Sequence, residues 1–326
     1  MPLPRLLVLS LGGTITMTAG GAGGIAPTLG ADDLIDAVPA IAAVAEIDAH
    51  SLFRLPSPSL GLEHVNEVAR EIRLAFASGY DGAVVIQGTD TIEETAFALD
   101  LLIDDECPVV VTGAMRGAEA PGADGPANLL ASVIVAASAA ARGLGTLVVL
   151  NDEIHAARFV RKTHTALAST FASPDLGPLG MVIERRARFL ARVPGGPKFQ
   201  VEGPAPAVAL LKMTMGDDGR MIRALRQLGY WGLVLEGMGA GHVPGEIAGL
   251  VGEVASHMPV VLASRTLGGP VFTRTYGYAG SEIDLIGRGL IPAGFLQATK
   301  ARLLLALCLE AGYGREAIDR TFAAYR

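Results

Sequence analysis

At 326 residues, half of them apolar and 18% charged, the chain is too long for a stapled miniature scaffold and too hydrophobic for a disordered one. Its 26 Lys and Arg stand against 33 Asp and Glu, a net charge of −7 with no long basic block, which argues against nucleic acid or an anionic membrane as partner. Two cysteines make no disulfide framework, so a reducing, cytoplasmic setting is expected.

Residues 5–11 form a mostly apolar run of strand length that Gly12-Gly13 ends, placing Thr14 just past a strand. The run has something of a signal peptide's apolar core but lacks a small-residue cleavage site, so it reads as a first strand. Residues 17–30 carry five glycines and no aromatic, a composition costly to order, which reads either as a plain surface loop or, directly after a strand-end Thr, as a mobile lid. A short helix over 32–38 and a strand over 45–50 follow. Then comes the Pro/Ser connection Leu55-Pro56-Ser57-Pro58-Ser59-Leu60. Val65, Val68, Ile72 and Phe76 give 62–78 helical spacing, closed by Gly79.

Residues 84–94 are the centre of the chain. The β-branched run Val84-Val85-Ile86 ends at Gln87-Gly88, and Thr91 with Glu94 predicts a capping box opening a helix to about residue 103. Thr89 and Asp90 then lie in the crevice beyond a strand's carboxyl end, where open parallel sheets bind ligands. Both residue types also favour caps and turns, so the pair alone leaves a structural role open. Residues 108–112 give another strand, 128–141 a helix and 144–150 a strand, an alternation at βαβ spacing. Residues 151–190 break that rhythm and predict an irregular or hairpin-containing segment.

Pro and Gly crowd 193–206, which divides the chain into an N-terminal α/β domain (1–192), a linker (193–206) and a smaller C-terminal α/β domain (207–326). The expected fold class is α/β, the larger domain built on a mostly parallel sheet flanked by helices. Strands are expected at 208–213, 232–236 and 259–263, with helices at 218–228, 245–257, 300–311 and 316–325. The longest apolar helical stretch, 129–141, is too short to span a bilayer.

Chemistry narrows to few candidates. Gly237-Met238-Gly239-Ala240-Gly241-His242 puts His242 where a dinucleotide loop needs its last glycine, and no P-loop or Gly-x-Ser-x-Gly is present. The six histidines lack metal-ligand spacing, so neither metal nor cofactor is expected. What remains is a Thr at each of two strand ends and a lysine, Lys162, in the basic run Arg158 to Lys162. A hydroxyl needs a base to become a nucleophile, and a partly buried Lys can be that base. A basic run is more often a solvated face, and spacing alone does not choose.

Leu11-Gly12-Gly13-Thr14-Ile15 and Gln87-Gly88-Thr89-Asp90-Thr91, followed by Thr112-Gly113-Ala114-Met115-Arg116, resemble the two signature motifs and the next strand end of the bacterial-type L-asparaginase and glutaminase-asparaginase family. Val160-Arg161-Lys162-Thr163 and Gly177-Pro178-Leu179-Gly180 resemble its lysine segment and downstream loop. The resemblance implies hydrolysis of L-asparagine to aspartate and ammonia through a threonine nucleophile and a covalent acyl-enzyme. It assigns Thr14 as primary nucleophile and Thr89, Lys162 and Asp90 as a second, proton-handling cluster. Asp90 would also hold the substrate ammonium and Ser57 its α-carboxylate, with the backbone of Gly13, Gly88 and Ala114 lining the site. Glu282 matches an acid donated by a neighbouring subunit, which implies a homo-oligomer, a dimer or tetramer with shared sites.

Three departures from the family pattern stand out: no Tyr in 17–30, Pro58 at a usually polar position, and Ala240 in place of an Asn. Alternatives therefore include a related amidohydrolase for glutamine or another amino-acid amide, and a non-enzymatic amino-acid sensor.

Overall fold

The computed structural model describes residues 2–19, 25–27, 29–201 and 203–326. The chain forms two compact units, Met1–Lys198 and Phe199–Arg326.

The first unit opens with β1 (Arg5–Ser10), the short strands β2 (Met17–Ala19) and β3 (Ile25–Pro27), α1 (Ala31–Asp36) and β4 (Glu46–Ser51). Then come α2 (Leu62–Ala77), β5 (Gly82–Ile86), α3 (Ile92–Leu102), β6 (Val109–Thr112), α4 (Gly125–Ala136) and β7 (Thr146–Leu150). Strands β4, β1, β5, β6 and β7 lie parallel in that spatial order. Burial on both faces explains their near-continuous Val, Leu and Ile: every residue of β5, β6 and β7 is buried. Helix α2 shows the complementary pattern, with only Val65, Val68, Ala69, Ile72 and Ala75 buried along one stripe.

The segment 151–190 resolves into antiparallel pairs. β8 (Glu153–Ala156) folds back on β7 through Asn151 and Asp152, both at positive φ (52° and 61°), as a two-residue hairpin turn requires. β9 (Arg161–Lys162) pairs with β10 (Phe171–Ala172), and β11 (Gly180–Ile183) joins β8 and β12 (Arg186–Phe189) to complete an eight-stranded mixed sheet.

The second unit holds β13 (Val208–Lys212), α5 (Arg220–Ala224), β14 (Gly232–Gly237), α6 (Ala248–His257), β15 (Val260–Ser264), α7 (Glu282–Gly287), β16 (Ile291–Pro292), α8 (Ala298–Glu310) and α9 (Arg315–Ala323). Its four strands are parallel in simple order β13-β14-β15-β16. The two-domain α/β architecture, with a mostly parallel larger sheet, is thus as the sequence predicts.

Several local expectations change. The capping box at Thr91 does not form, because the Thr91 hydroxyl donates to the Ser57 carbonyl (3.2 Å) and accepts from Gln87 Nε2 (3.2 Å) instead. α4 starts earlier than expected, at Gly125 with Pro126 in its first turn, where a missing N–H costs nothing. The stretch expected as a lid begins as an antiparallel ribbon, β2 with β3; its residues 20–24 and 28 lie outside the described residues. Helix α7 and strand β16 carry no sequence periodicity long enough to announce them. Among the described residues no helix is long and apolar enough to cross a membrane.

Candidate functional site

Strand order locates the site. From β1 the chain crosses to β4 on one side and then back to β5 on the other, so the sheet order reverses beside β1. At such a reversal the loops leaving the two central strands part and open a crevice. The registers Ser10↔Ile86 and Ile86↔Thr112 align the ends of β1, β5 and β6, so their exit loops leave side by side.

Glycine lets the first two loops meet. Gly13 has φ +94°, and a Cβ there would lie 2.0 Å from the Gly88 nitrogen. A Cβ on Gly88 would in turn fall 2.7 Å from Ser57 Oγ. Backbone touches backbone at this point, and any side chain would force the crevice apart. Ser57, 3% exposed, braces the junction: its hydroxyl accepts from the Asp90 N–H at 3.3 Å and its carbonyl accepts from Thr91. The loop after β6 is held separately, with Asp124 accepting from the Met115 and Arg116 N–H groups, both at 2.9 Å.

Between these loops lies a cavity of about 240 Å³ whose wall includes Gly13, Thr14, Ser57, Gly88, Thr89, Asp90 and Lys162. Residues 14, 89 and 162 are brought together from three parts of the chain. Lys162 Nζ donates to Thr89 Oγ1 at 2.9 Å and to Asp90 Oδ1 at 2.5 Å. The β9 backbone is pinned in turn, since the Lys162 N–H donates to Glu93 Oε2, on the first turn of α3, at 2.6 Å. The lysine side chain is 17% exposed and Asp90 59%, so the basic run does not make a solvated face here. Thr89 is buried and Thr14 half-buried. The Thr14 hydroxyl hydrogen-bonds none of the described residues, whereas that of Thr89 is already engaged.

Ala114 sits 1% exposed at the start of the third loop, and it is Met115 that faces the cavity. Sequence reasoning also missed Met17 and Thr165 on the wall, and Glu93 behind Lys162. Thr165 had a signal, its place in Thr163-His164-Thr165 just past the lysine; Glu93 had none, because its partner is 69 residues away.

Glu282 belongs to the second unit. It is 0% exposed at the start of α7, its Oε1 accepting from the Thr275 and Tyr276 N–H groups (2.9 and 2.7 Å) and its Oε2 facing His242 Nε2 at 3.1 Å. Burial pushes the carboxyl up, but the Tyr276, Thr275 and Glu282 amides and His242 outweigh it and leave it below the usual carboxylate range. Among the described residues, no group of three or more His, Cys, Asp or Glu could hold a metal ion.

Residues 5–194 match the family model for the asparaginase N-terminal domain, and residues 207–322 that for the glutaminase/asparaginase C-terminal domain. The chain belongs to the asparaginase family. It is 39% identical to a probable L-asparaginase of Deinococcus radiodurans, over 98% of this chain and 97% of that protein. It is 38% identical to an L-asparaginase of Bacillus licheniformis, over 81% and 82%. The crystal structure of a probable cytoplasmic L-asparaginase from Campylobacter jejuni superposes with a TM-score of 0.87 at 34% identity, covering 98% of this chain and 99% of that one. The asparaginase-family fold therefore extends through both units, and the cavity between the β1 and β5 loops lies wholly within the N-terminal one.

Proposed function

We propose that the chain hydrolyses the side-chain amide of L-asparagine to L-aspartate and ammonia. The observation that carries this reading is the joint presence on one small cavity of two threonine hydroxyls and a lysine bonded to one of them. Family membership and the names of the relatives supply the substrate.

In the proposed mechanism Thr14 Oγ attacks the amide carbon, since among the described residues none hydrogen-bonds its hydroxyl. Its proton passes to the leaving nitrogen through the Thr89 hydroxyl and the Lys162 amine, and ammonia departs from the tetrahedral intermediate. The Thr89 N–H, just past the exit of β5, receives the oxyanion, in the manner of a preorganised donor at a strand end. Water then attacks the Thr14 ester with the same cluster taking its proton, and aspartate leaves. Asp90, more than half exposed, takes the substrate ammonium, and the Ser57 turn, with Gly13, Gly88 and the Ala114 backbone, positions the α-carboxylate. No metal or cofactor enters any step.

Ammonia release from L-asparagine is the test. Thr14→Ala and Thr89→Ala are each expected to lower kcat by about 10³-fold or more while leaving the melting temperature within a few degrees. Turnover surviving in both variants would discard the mechanism, and faster release from glutamine would reassign the substrate. We further propose a cytoplasmic homo-oligomer, supported by the free Cys107 and Cys308 and by the exposed Leu267, Phe272, Tyr276, Tyr278, Ile283 and Phe295 of the second unit. Light scattering reporting a monomer would remove it.

A further inference from the structure

A second cavity, about 620 Å³ against about 240 Å³ for the threonine crevice, opens in the same unit at the other end of the sheet. Its wall comes from the acidic run 104–106 leading into β6, the stretch 142–146 leading into β7, Ala156 to Arg158 after β8, and Lys198. Because β6 and β7 run parallel to β1 and β5, these are entry ends, whereas Thr14 and Thr89 follow exit ends.

The cavity is built with buried charge that the proposed chemistry does not use. Asp100 and Arg158 are each only 9% exposed. Asp100 Oδ1 accepts from the Thr146 N–H at 3.0 Å and lies 3.7 Å from Lys198 Nζ, which also donates to the Asp100 carbonyl at 2.5 Å. Gly145, at φ +71°, admits this approach, since a Cβ would sit 2.2 Å from Asp100 Oδ1. Arg158 Nη2 donates to the Pro194 carbonyl at 2.6 Å. Burying ions is costly, and an apolar pair of the same shape would hold the fold as well. The wall carries both signs, with Asp104, Asp105 and Glu106 beside Arg142, Arg158 and Lys198. That mixture suits a ligand bearing an ammonium and a carboxylate, and the volume suits one longer than a single amino acid.

Two short paths join this cavity to the catalytic cluster. Helix α3, 11 residues and about 16 Å long, begins next to the Thr89–Thr91 turn and carries Asp100 near its far end. Glu93 on its first turn holds the Lys162 N–H. Arg158 stands four residues before Lys162 on the segment that becomes β9.

We propose that this cavity binds a short zwitterionic peptide and that its occupancy changes turnover at the threonine crevice. The binding half stands alone; the turnover half rests on the asparaginase reading above. Calorimetry on the full chain with trialanine, free at both termini, is expected to give saturable heat that acetyl-trialanine amide does not. Arg142→Ala, an exposed change, should weaken binding by about tenfold, while Thr14→Ala should leave it unaltered. Saturating trialanine should change kcat for L-asparagine by about threefold. No saturable heat up to about 10 mM, equal binding of the blocked peptide, or undiminished binding in Arg142→Ala would overturn the site. Loss of binding in Thr14→Ala would instead place the peptide in the threonine crevice, and an unchanged kcat would end the coupling. If the protein does not hydrolyse asparagine at all, the calorimetric result still decides the site.

Discussion

Both units end a central parallel strand in glycines, Gly12 and Gly13 after β1 and Gly237, Gly239 and Gly241 from the last residue of β14 onward, yet among the described residues only the first opens there onto a cavity lined by threonine hydroxyls and a lysine. In the first unit the order β4-β1-β5 reverses beside β1, so two exit loops face each other with polar side chains between them. In the second, β13-β14-β15-β16 advances in one direction without a reversal. Its glycine loop closes on itself instead, the Met238 N–H donating to the His242 carbonyl at 2.8 Å, and the polar groups nearby, His242 and Glu282, satisfy one another. A glycine loop after a strand is therefore not a site by itself. Strand order decides whether its polar neighbours face a ligand or each other.

The sharpest way to break that comparison is to put the same methyl group into each loop. Gly13→Ala sets a Cβ 2.0 Å from the Gly88 backbone at φ +94°, where neither partner can yield. It should cost about 3 kcal/mol in urea unfolding and abolish ammonia release, because the Thr14 and Thr89 loops must separate. Gly239→Ala meets nothing nearer than His242 Nδ1 at 3.9 Å and sits at φ +53°, in the left-handed region an alanine reaches at modest cost. About 1 kcal/mol and unchanged kcat are expected. Equal losses in the two variants would mean that the glycines serve only their turns and that the close approach at Gly88 has no special standing.

How much of this was legible depended on the range of the interaction. The strands β1, β5, β6 and β7 announce themselves because a strand buried on both faces must be apolar throughout, and their ends place Thr14 and Thr89 without any tertiary knowledge. Asparaginase-family membership followed from the motifs at those ends. The capping box at Thr91 failed for the opposite reason: the local pattern was correct, but Ser57, 34 residues earlier in the chain, outbid the helix for that hydroxyl. Spacing alone leaves Lys162 open between a base and a solvated basic run, because nothing within a few residues shows that Glu93, Thr89 and Asp90 surround it. Glu282 rests on its place in the family pattern, and place alone carries no information on burial. Its partners within the chain, Thr275, Tyr276 and His242, lie in stretches without helical or strand period.

Glu282 also offers the subtler test of the second unit, since it is the ion on which that loop closes. Its folded carboxyl is held below the ordinary carboxylate range, so the ionised form is favoured by folding. A depressed carboxyl adds stability that is fully present above its unfolded value and is lost as pH falls through the folded one. The wild-type chain should therefore lose stability from the ordinary carboxylate range downward, in part through this group. Glu282→Gln keeps one acceptor for the Thr275 and Tyr276 N–H groups but removes the charge, and should cost about 1–2 kcal/mol near neutral pH. Below the ordinary carboxylate range the gap between variant and wild type should narrow, since protonation takes from the wild type what the substitution has already removed. Urea titrations at several pH values read this directly. A gap that stays constant down the acid limb would show that His242 and the two amides bind the side chain for its shape rather than its charge.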